Sequence, residues 1–228
     1  MRLVLVRHGR TSLNARHRFQ AQTDEPLDPV GASQVRGIAE ALSPDRWSAV
    51  YSSTMVRAVE TADIIADRLG LSPARVHDLR ERHLGVLDGT DRREFARRYP
   101  DVMRRLLTDF GFAPPEGETG GTACARVCRA LDTIARNTGH DRGGSVLVVT
   151  HGGVLNLLSR ALLGPHGQET GVLGNGRAAC VDVDPTEDGG PTATLLRWDA
   201  APRECEDPSD DRPVHPPTRL ITKGSALA

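Results

Sequence analysis

Leu3-Val4-Leu5-Val6 is an unbroken apolar run that stops abruptly at Arg7-His8-Gly9. A half-exposed strand would alternate polar with apolar residues, whereas a run of Leu and Val without alternation fits a strand buried on both faces. Such strands belong to parallel sheets covered by helices on each side, and their ligand sites lie beyond the carboxyl ends of the strands. Ser145-Val-Leu-Val-Val-Thr150 repeats the pattern and stops at His151-Gly152-Gly153. In a parallel sheet both ends open on one edge, so two histidines are expected to face a common ligand.

The chain between and around these runs alternates strand and helix signals. Asp28-Pro29 reads as an N-cap followed by proline at the first helical position, opening a helix to about Leu42. Residues 48–53 form a short strand. Thr54 is the expected cap of the helix that follows, which runs to Leu69 and is stopped by Gly70. Residues 75–79 are a third strand, and an arginine-rich helix over 91–110 is interrupted or kinked at Pro100. Residues 113–121 are a turn-rich loop, 122–137 a helix and 154–163 another. Residues 177–183 and 192–198 close the sheet as edge strands. From Asp199 onward Pro, Asp and Glu dominate, which reads as a poorly packed tail with 218–222 as a docking segment. The expected architecture is α/β: a three-layer sandwich with a mostly parallel central sheet and helices on both faces. One domain spans 1–199, and 200–228 is the tail.

Bulk properties narrow the function. With 228 residues the chain can bury one sizeable core. A formal net charge of −1 gives no global field for nucleic acid or membrane, so neither is an expected partner. No apolar run has the length of a membrane span, and a strand starting at residue 2 or 3 leaves no room for a cleavable leader; a cytoplasmic protein is expected. The four cysteines, Cys124, Cys128, Cys180 and Cys205, form no Cys-x-x-Cys pair and lack histidines at metal spacing, so reduced structural thiols are expected.

Four strand ends supply the chemistry. At the first, the planar Arg7 fork suits phosphate or carboxylate, His8 is a nucleophile or acid–base group, and Gly9 removes a Cβ that would keep backbone and ligand apart. Arg57 lies in the first turn of a helix, where a cation opposes the helix dipole, which hints at a compensating anion. Glu81, among Arg80, Arg82 and His83, is either a salt-bridge member or a proton donor; nearby cations favour its ionised form and a bound phosphate opposes it. At the fourth end a helix starts directly after His151, so Gly152 and its free neighbours offer N–H groups to an anion.

These residues, with the motifs around them, resemble the histidine phosphatase superfamily, the phosphoglycerate mutase-like fold. The resemblance rests on Arg7-His8-Gly9 with Thr11 and Asn14, on Arg18-Phe-Gln-Ala21 with Asp24-x-Pro-Leu27, and on Ser52-Ser53 with Arg57-Ala58-x-Glu-Thr-Ala62. It continues through Leu79-Arg-Glu81 with Gly85 and Gly89, Pro114-Pro-x-Gly-Glu-Thr119, and Thr150-His151-Gly152-Gly153, covering about residues 2–184. It implies that His8 accepts the phosphoryl group, that Arg7, Arg57 and His151 hold its equatorial oxygens, and that Glu81 protonates the leaving alcohol and then helps activate water. It implies further that Asn14 and Gln20 line the pocket. Two arginines and a histidine would replace metal ions, so no metal and no cofactor are expected. Arg10 stands where the family commonly has Glu or Gln, and would favour a second anionic group on the substrate. Ala21 replaces the usual Gly, which would narrow the pocket or do nothing.

The expected reaction is hydrolysis of a small phosphorylated metabolite. Residues 82–121, including Arg82 and His83, are the expected substrate cover. The competing readings are a cofactor-dependent phosphoglycerate mutase and a catalytically silent phosphate-binding module. Glu81-Arg-His-Leu-Gly85 is close to the mutase pattern, but Leu84 replaces its tyrosine. Only 69 residues, 82–150, separate Glu81 from His151, as in the shorter phosphatases. A homodimer through an edge strand or the tail stays open.

Overall fold

The computed structural model describes residues 1–138, 144–164, 171–184, 191–206, 213–214 and 216–220. Its strands are β1 (Arg2–Arg7), β2 (Trp47–Ser53), β3 (Ala74–Val76), β4 (Ser145–Thr150), β5 (Ala178–Asp184), β6 (Thr192–Ala200) and β7 (Thr218–Arg219). They form one sheet in the order β3-β2-β4-β1-β5-β6-β7. The half that ends at the histidines, β3-β2-β4-β1, is parallel; β5, β6 and β7 each pair antiparallel with their neighbour. Of the two expected edge strands, β5 lies inside the sheet against β1, and β7 beyond β6 takes the edge. Only residues 218–220 of the expected docking segment are described, and Thr218–Arg219 supply that edge strand.

The helices are α1 (Ser12–Ala15), α2 (Pro29–Ala41), α3 (Val56–Leu69), α4 (Arg92–Arg98), α5 (Pro100–Thr108), α6 (Gly120–Thr138) and α7 (Gly152–Leu163). Along β1 the side chains alternate between two cores. Leu3 and Leu5 pack with α6 and α7, while Val4 and Val6 pack with α2 and α3. In β4, Val146 and Val148 face the first core and Leu147 and Val149 the second. Burial on both faces is why neither run carries a polar residue. The result is the expected α/β sandwich of three layers.

Local punctuation explains the element ends. The Asp28 carboxylate accepts the Gly31 N–H at 2.7 Å and Pro29 opens α2, as the sequence indicates. Gly70 ends α3 with φ +67, a conformation open to glycine. Pro100 has no N–H to continue α4 and instead starts α5, so the arginine-rich segment becomes two short helices meeting at Tyr99. Thr54 does not cap α3. Met55 precedes the helix, and Asp24 accepts the Val56 N–H at 2.7 Å from across the loop. The third strand is shorter than expected: Ala74–Val76 is followed by a 3-10 turn, His77–Leu79, which leads to Glu81.

The helices α4 and α5 with the loop to α6 cover the carboxyl edge of the parallel strands. Their own small core joins Phe19, Leu87 and Leu106 with Leu84, Phe95, Met103 and Phe112. The chain also keeps contact with the body past Asp199. Pro202 and Cys205 are buried, and the Glu206 carboxylate accepts from Trp47 Nε1 at 2.9 Å and from the Ser43 N–H at 2.8 Å. No helix among the described residues is long and apolar enough to cross a membrane.

Candidate active site

The register Arg7 to Thr150 sets the two strand ends level, and the His8 N–H donates to the Thr150 carbonyl at 3.0 Å. His8 and His151 therefore stand side by side with ring centroids 5.2 Å apart. His8 Nδ1 lies 2.7 Å from the Gly9 carbonyl, which can only accept, so Nδ1 carries the proton. Nε2 is left with a lone pair, and Arg57 Nε donates to it at 3.2 Å. Burial first, then Arg57 and Arg7, hold the imidazole well below the ordinary histidine range, so it is neutral at physiological pH. A neutral, oriented imidazole with a free ring nitrogen is a nucleophile in waiting.

Arg57 is a cation with 0 % exposure. Its Nη1 and Nη2 donate to the carbonyls of Thr23 and Ala21, each at 3.1 Å. Asp88 shapes that loop, accepting the N–H groups of Ala21, Gln22 and Thr23 at 2.7–2.9 Å. The anion hinted at by a cation in the first turn of α3 is thus in part Asp24, which sits on the Val56 N–H. Burial lowers the Arg57 pKa to about 10, which leaves it charged. Ala21 is fully buried and works through its backbone, so its methyl group does not narrow the cleft.

Arg7 donates to the Leu173 carbonyl at 2.6 Å, and its Nε is buried with no partner. Burial brings its pKa to about 10 as well. A Cβ at Gly152 would lie 3.0 Å from Arg7 Nε, so glycine there lets the guanidinium lie across the start of α7. Gly9 has a different role from the one expected. Its missing Cβ makes room for Val35 and Leu27 against α2, at 2.7 and 3.2 Å, rather than for a ligand.

Glu81 is 8 % exposed and lines the same cleft. Its Oε2 accepts the Gly153 N–H at 2.8 Å, and its Oε1 accepts the N–H groups of Val154 at 3.0 Å and Arg82 at 2.8 Å. The anion site expected at the start of α7 is therefore occupied by the protein's own carboxylate. Substrate can approach Gly152 and Gly153, which line the cleft, but not the N–H groups of Gly153 and Val154. The Glu81 backbone is fixed by Arg126, whose Nη2 donates to its carbonyl at 3.0 Å, and by Gln22 at 2.9 Å.

Asn14 and Gln20 line the cleft as the resemblance implies. Gln20 Oε1 accepts from Thr11 and Asn14, at 2.7 and 3.3 Å, while its Nε2 is a buried donor without a partner. Asn175 Nδ2 ties the group together, donating to the carbonyl of His8 and to Asn14 Oδ1 at 3.0 Å each. The lining also includes the polar Arg18, Arg92 and Asn156 and the apolar Leu84, Leu106, Leu107 and Leu157.

Three expected substrate residues have other tasks. Arg10 pairs with Asp28 at 2.8 Å and lies outside the cleft lining, because it packs over the start of α2. Arg82 borders the cleft, but its three nitrogens donate to the carbonyls of Glu118, Leu106 and Phe112 at 3.2, 2.9 and 2.6 Å. It staples the cover to the body and has no fork left for an anion. His83 Nδ1 accepts the Gly85 N–H at 3.1 Å, and the residue is exposed outside the lining. Residues that had no role of their own in the sequence reading include Asn175, Arg126 and Asp88, together with Arg92 and with Ser53, which entered only within the Ser52-Ser53 motif. Arg92 was visible only as one of many arginines, and the others as ordinary polar residues.

Among the described residues no cluster of His, Cys, Asp and Glu could hold a metal ion. The four cysteines are buried and unbridged. Two cationic forks, two neutral imidazoles and a buried carboxylate gather at one edge of the sheet, with Arg7, His8 and Glu81 lining the cleft, and such a set of groups is able to stabilise a transferring phosphoryl group. The chain belongs to the histidine phosphatase superfamily (branch 1), whose profile matches residues 3–199. It is a phosphoric monoester hydrolase of that family. A metal-independent phosphoserine phosphatase of Arabidopsis thaliana is 39 % identical over 160 residues, covering 68 % of this chain and 66 % of that one. A glucosyl-3-phosphoglycerate phosphatase of Mycolicibacterium vanbaalenii is 33 % identical over 205 residues, covering 86 % and 91 %. A mycobacterial glucosyl-3-phosphoglycerate phosphatase solved in complex with VO3 superimposes with a TM-score of 0.77 at 28 % identity, over 88 % of this chain and 99 % of that one.

Proposed function

We propose that this protein is a metal-independent phosphatase that hydrolyses a small phosphate monoester through a phosphohistidine on His8. The observation that carries this is the His8 tautomer. The Gly9 carbonyl accepts a hydrogen bond from the Nδ1–H and leaves Nε2, on a buried ring, with a lone pair among cations. In the first step Nε2 forms a bond to phosphorus as the ester P–O bond breaks. Arg57 Nε, Arg7 Nε and His151 receive the charge on the phosphoryl oxygens, the task metal ions perform in other phosphatases. The substrate enters as its monoanion and Glu81 relays that proton to the leaving oxygen, then takes one from the water that attacks phosphorus and releases His8. The relative named as metal-independent supports the absence of a metal from this scheme.

Substrate class follows from the outer cleft. Phosphoserine and glucosyl-3-phosphoglycerate, named for two relatives, both carry a carboxylate beyond the ester. Arg18 and Arg92 line the cleft, and Arg92 stands over the Phe19 ring at 5.5 Å. A small metabolite with a second acidic group fits these cations, while the leucines of the lining pack its carbon skeleton.

The test is phosphate release from a panel of monoesters in EDTA, with His8→Ala as control and 3-phosphoglycerate products checked for the 2-isomer. Metal-free release that vanishes in the variant is expected. Loss of activity in EDTA with recovery on adding a divalent ion would overturn the metal-free scheme. Isomer without net release would make the protein a mutase, and ligand binding without turnover would make it a silent module.

A further inference from the structure

We propose that Ser53 is a positioning residue that makes His151 a hydrogen-bond donor at Nδ1, an inference that rests on the phosphatase reading above. His151 follows β4 and Ser53 ends β2, its parallel neighbour. Both are fully buried, and His151 Nε2 lies 2.8 Å from Ser53 Oγ. Ser53 Oγ also accepts the Met55 N–H at 3.3 Å. Among the described residues the only acceptor in reach of the hydroxyl proton is His151 Nε2.

A neutral imidazole has one N–H and one lone pair, so two arrangements are available. If the Ser53 hydroxyl donates to Nε2, the ring proton sits on Nδ1, and that N–H is the one group left unpaired. If Nε2–H donates to Ser53 instead, the hydroxyl proton and the Nδ1 lone pair are both stranded in a dry site. Buried polar groups are costly without partners, so the first arrangement is favoured. It also gives the orphan a purpose. Nδ1 is buried with no partner beside His8, and an N–H there meets a phosphoryl oxygen, where a lone pair would repel it. Burial, then Arg57, His8, Arg126 and Arg7, holds His151 well below the ordinary histidine range, so the ring does not evade the choice by taking a second proton.

The two histidines then share a tautomer and use opposite ends of it. A carbonyl at Nδ1 leaves His8 with a lone pair at Nε2 for attack. A hydroxyl at Nε2 leaves His151 with an N–H at Nδ1 for binding. The twin strand-end pattern Val-x-His-Gly becomes a nucleophile and a donor according to which neighbour each ring meets.

The experiment is a two-bond proton–nitrogen correlation spectrum of the full chain labelled with 15N-histidine, His151 being assigned from His151→Gln. In the wild type, His151 should show a protonated Nδ1 and an unprotonated Nε2, and inorganic phosphate should shift the Nδ1 signal. Ser53→Ala should populate the Nε2–H tautomer and lower kcat/KM roughly tenfold, the scale on which one hydrogen bond biases a two-state equilibrium. Ser53→Thr, which keeps a hydroxyl, should restore the Nδ1–H pattern and most of the rate. A wild-type His151 protonated at Nε2 would overturn the proposal. So would a folded Ser53→Ala with unchanged tautomer and rate. Should the alanine variant not fold, the wild-type and threonine spectra decide. Should the wild type turn over no ester, the phosphatase reading fails, while the spectra still judge the role of Ser53.

Discussion

Gly153→Ala tests the role of Glu81 without removing it. A Cβ added at this position would lie 2.5 Å from Glu81 Oε1 and 3.0 Å from Oε2. Ordinary contact starts at 3.4 Å, so the nearer oxygen must retreat from 2.5 Å by about 0.9 Å. That movement takes the carboxylate off the N–H groups of Gly153 and Val154, now 2.8 and 3.0 Å away. Hydrogen bonds to a charged group contribute about 1.5–3 kcal/mol each, so their joint loss costs about 3–6 kcal/mol. Alanine in place of glycine in a helix returns about 1 kcal/mol, and water in the cleft restores part of the remainder. Catalysis should respond more sharply, since misplacing a catalytic group by about 1 Å costs on the order of 10²-fold. The assay compares kcat on an alkyl phosphate with kcat on a nitrophenyl phosphate. The first should fall about 10²-fold, because an alkoxide needs a proton to leave, and the second only a few-fold. A folded variant with wild-type alkyl activity, or with equal losses on both esters, would refute Glu81 as the proton donor.

Other outcomes follow from the same geometry. His8→Ala should remove turnover while circular dichroism shows a folded protein, since it deletes the Nε2 lone pair that Arg57 Nε faces. Arg92→Ala should raise KM about tenfold for esters with a distal carboxylate and leave a plain alkyl phosphate unchanged, a loss the size of one charge-assisted contact. Stability should fall on acidification. His8 and His151 are held well below 6.5 when folded, so below about that pH the unfolded chain binds protons the folded one refuses. The contribution is fully present above about pH 6.5 and is lost as pH falls, at up to about 2.7 kcal/mol per pH unit for the two groups together. Urea midpoints of wild type and His8→Gln at pH 7.5 and 5.5 check this, and an unchanged pH slope in the variant would contradict it.

The parts of the molecule that the sequence makes legible are those that burial writes in a regular code. Leu3–Val6 and Val146–Val149 carry no polar residue because each strand faces two cores, so a parallel sheet, and the convergence of His8 and His151 at its edge, could be read directly. Partnerships across long distances leave no such mark. Asn175 reaches His8 across 167 positions and Ser53 reaches His151 across 98, and neither has a periodic signal. Arginines are the hardest to read. Arg82, Arg92 and Arg10 look alike in a string of letters, yet one is spent on three carbonyls, one lines the cleft and one pairs with a helix cap. Only the count of acceptors around each fork tells them apart.

The same counting changes how the charges of the site divide the work. A helix start and an acidic residue were each visible in the sequence, and the simplest inference gave the helix start to the substrate. In the structure Glu81 takes two N–H groups at the start of α7 for itself. The partial positive charge of that helix therefore acts on the acid–base group, holding its oxygens in place between proton transfers. On the proposed mechanism the phosphoryl charge falls instead to Arg7 Nε and His151 Nδ1, which are buried without a partner, and to Arg57 Nε once phosphorus takes the His8 lone pair. All three are buried, so each acts in a low dielectric and needs no reorganisation when the charge develops. On that reading Gly152 and Gly153 serve two different groups of the site. The first leaves space for the Arg7 guanidinium and the second for the Glu81 carboxylate.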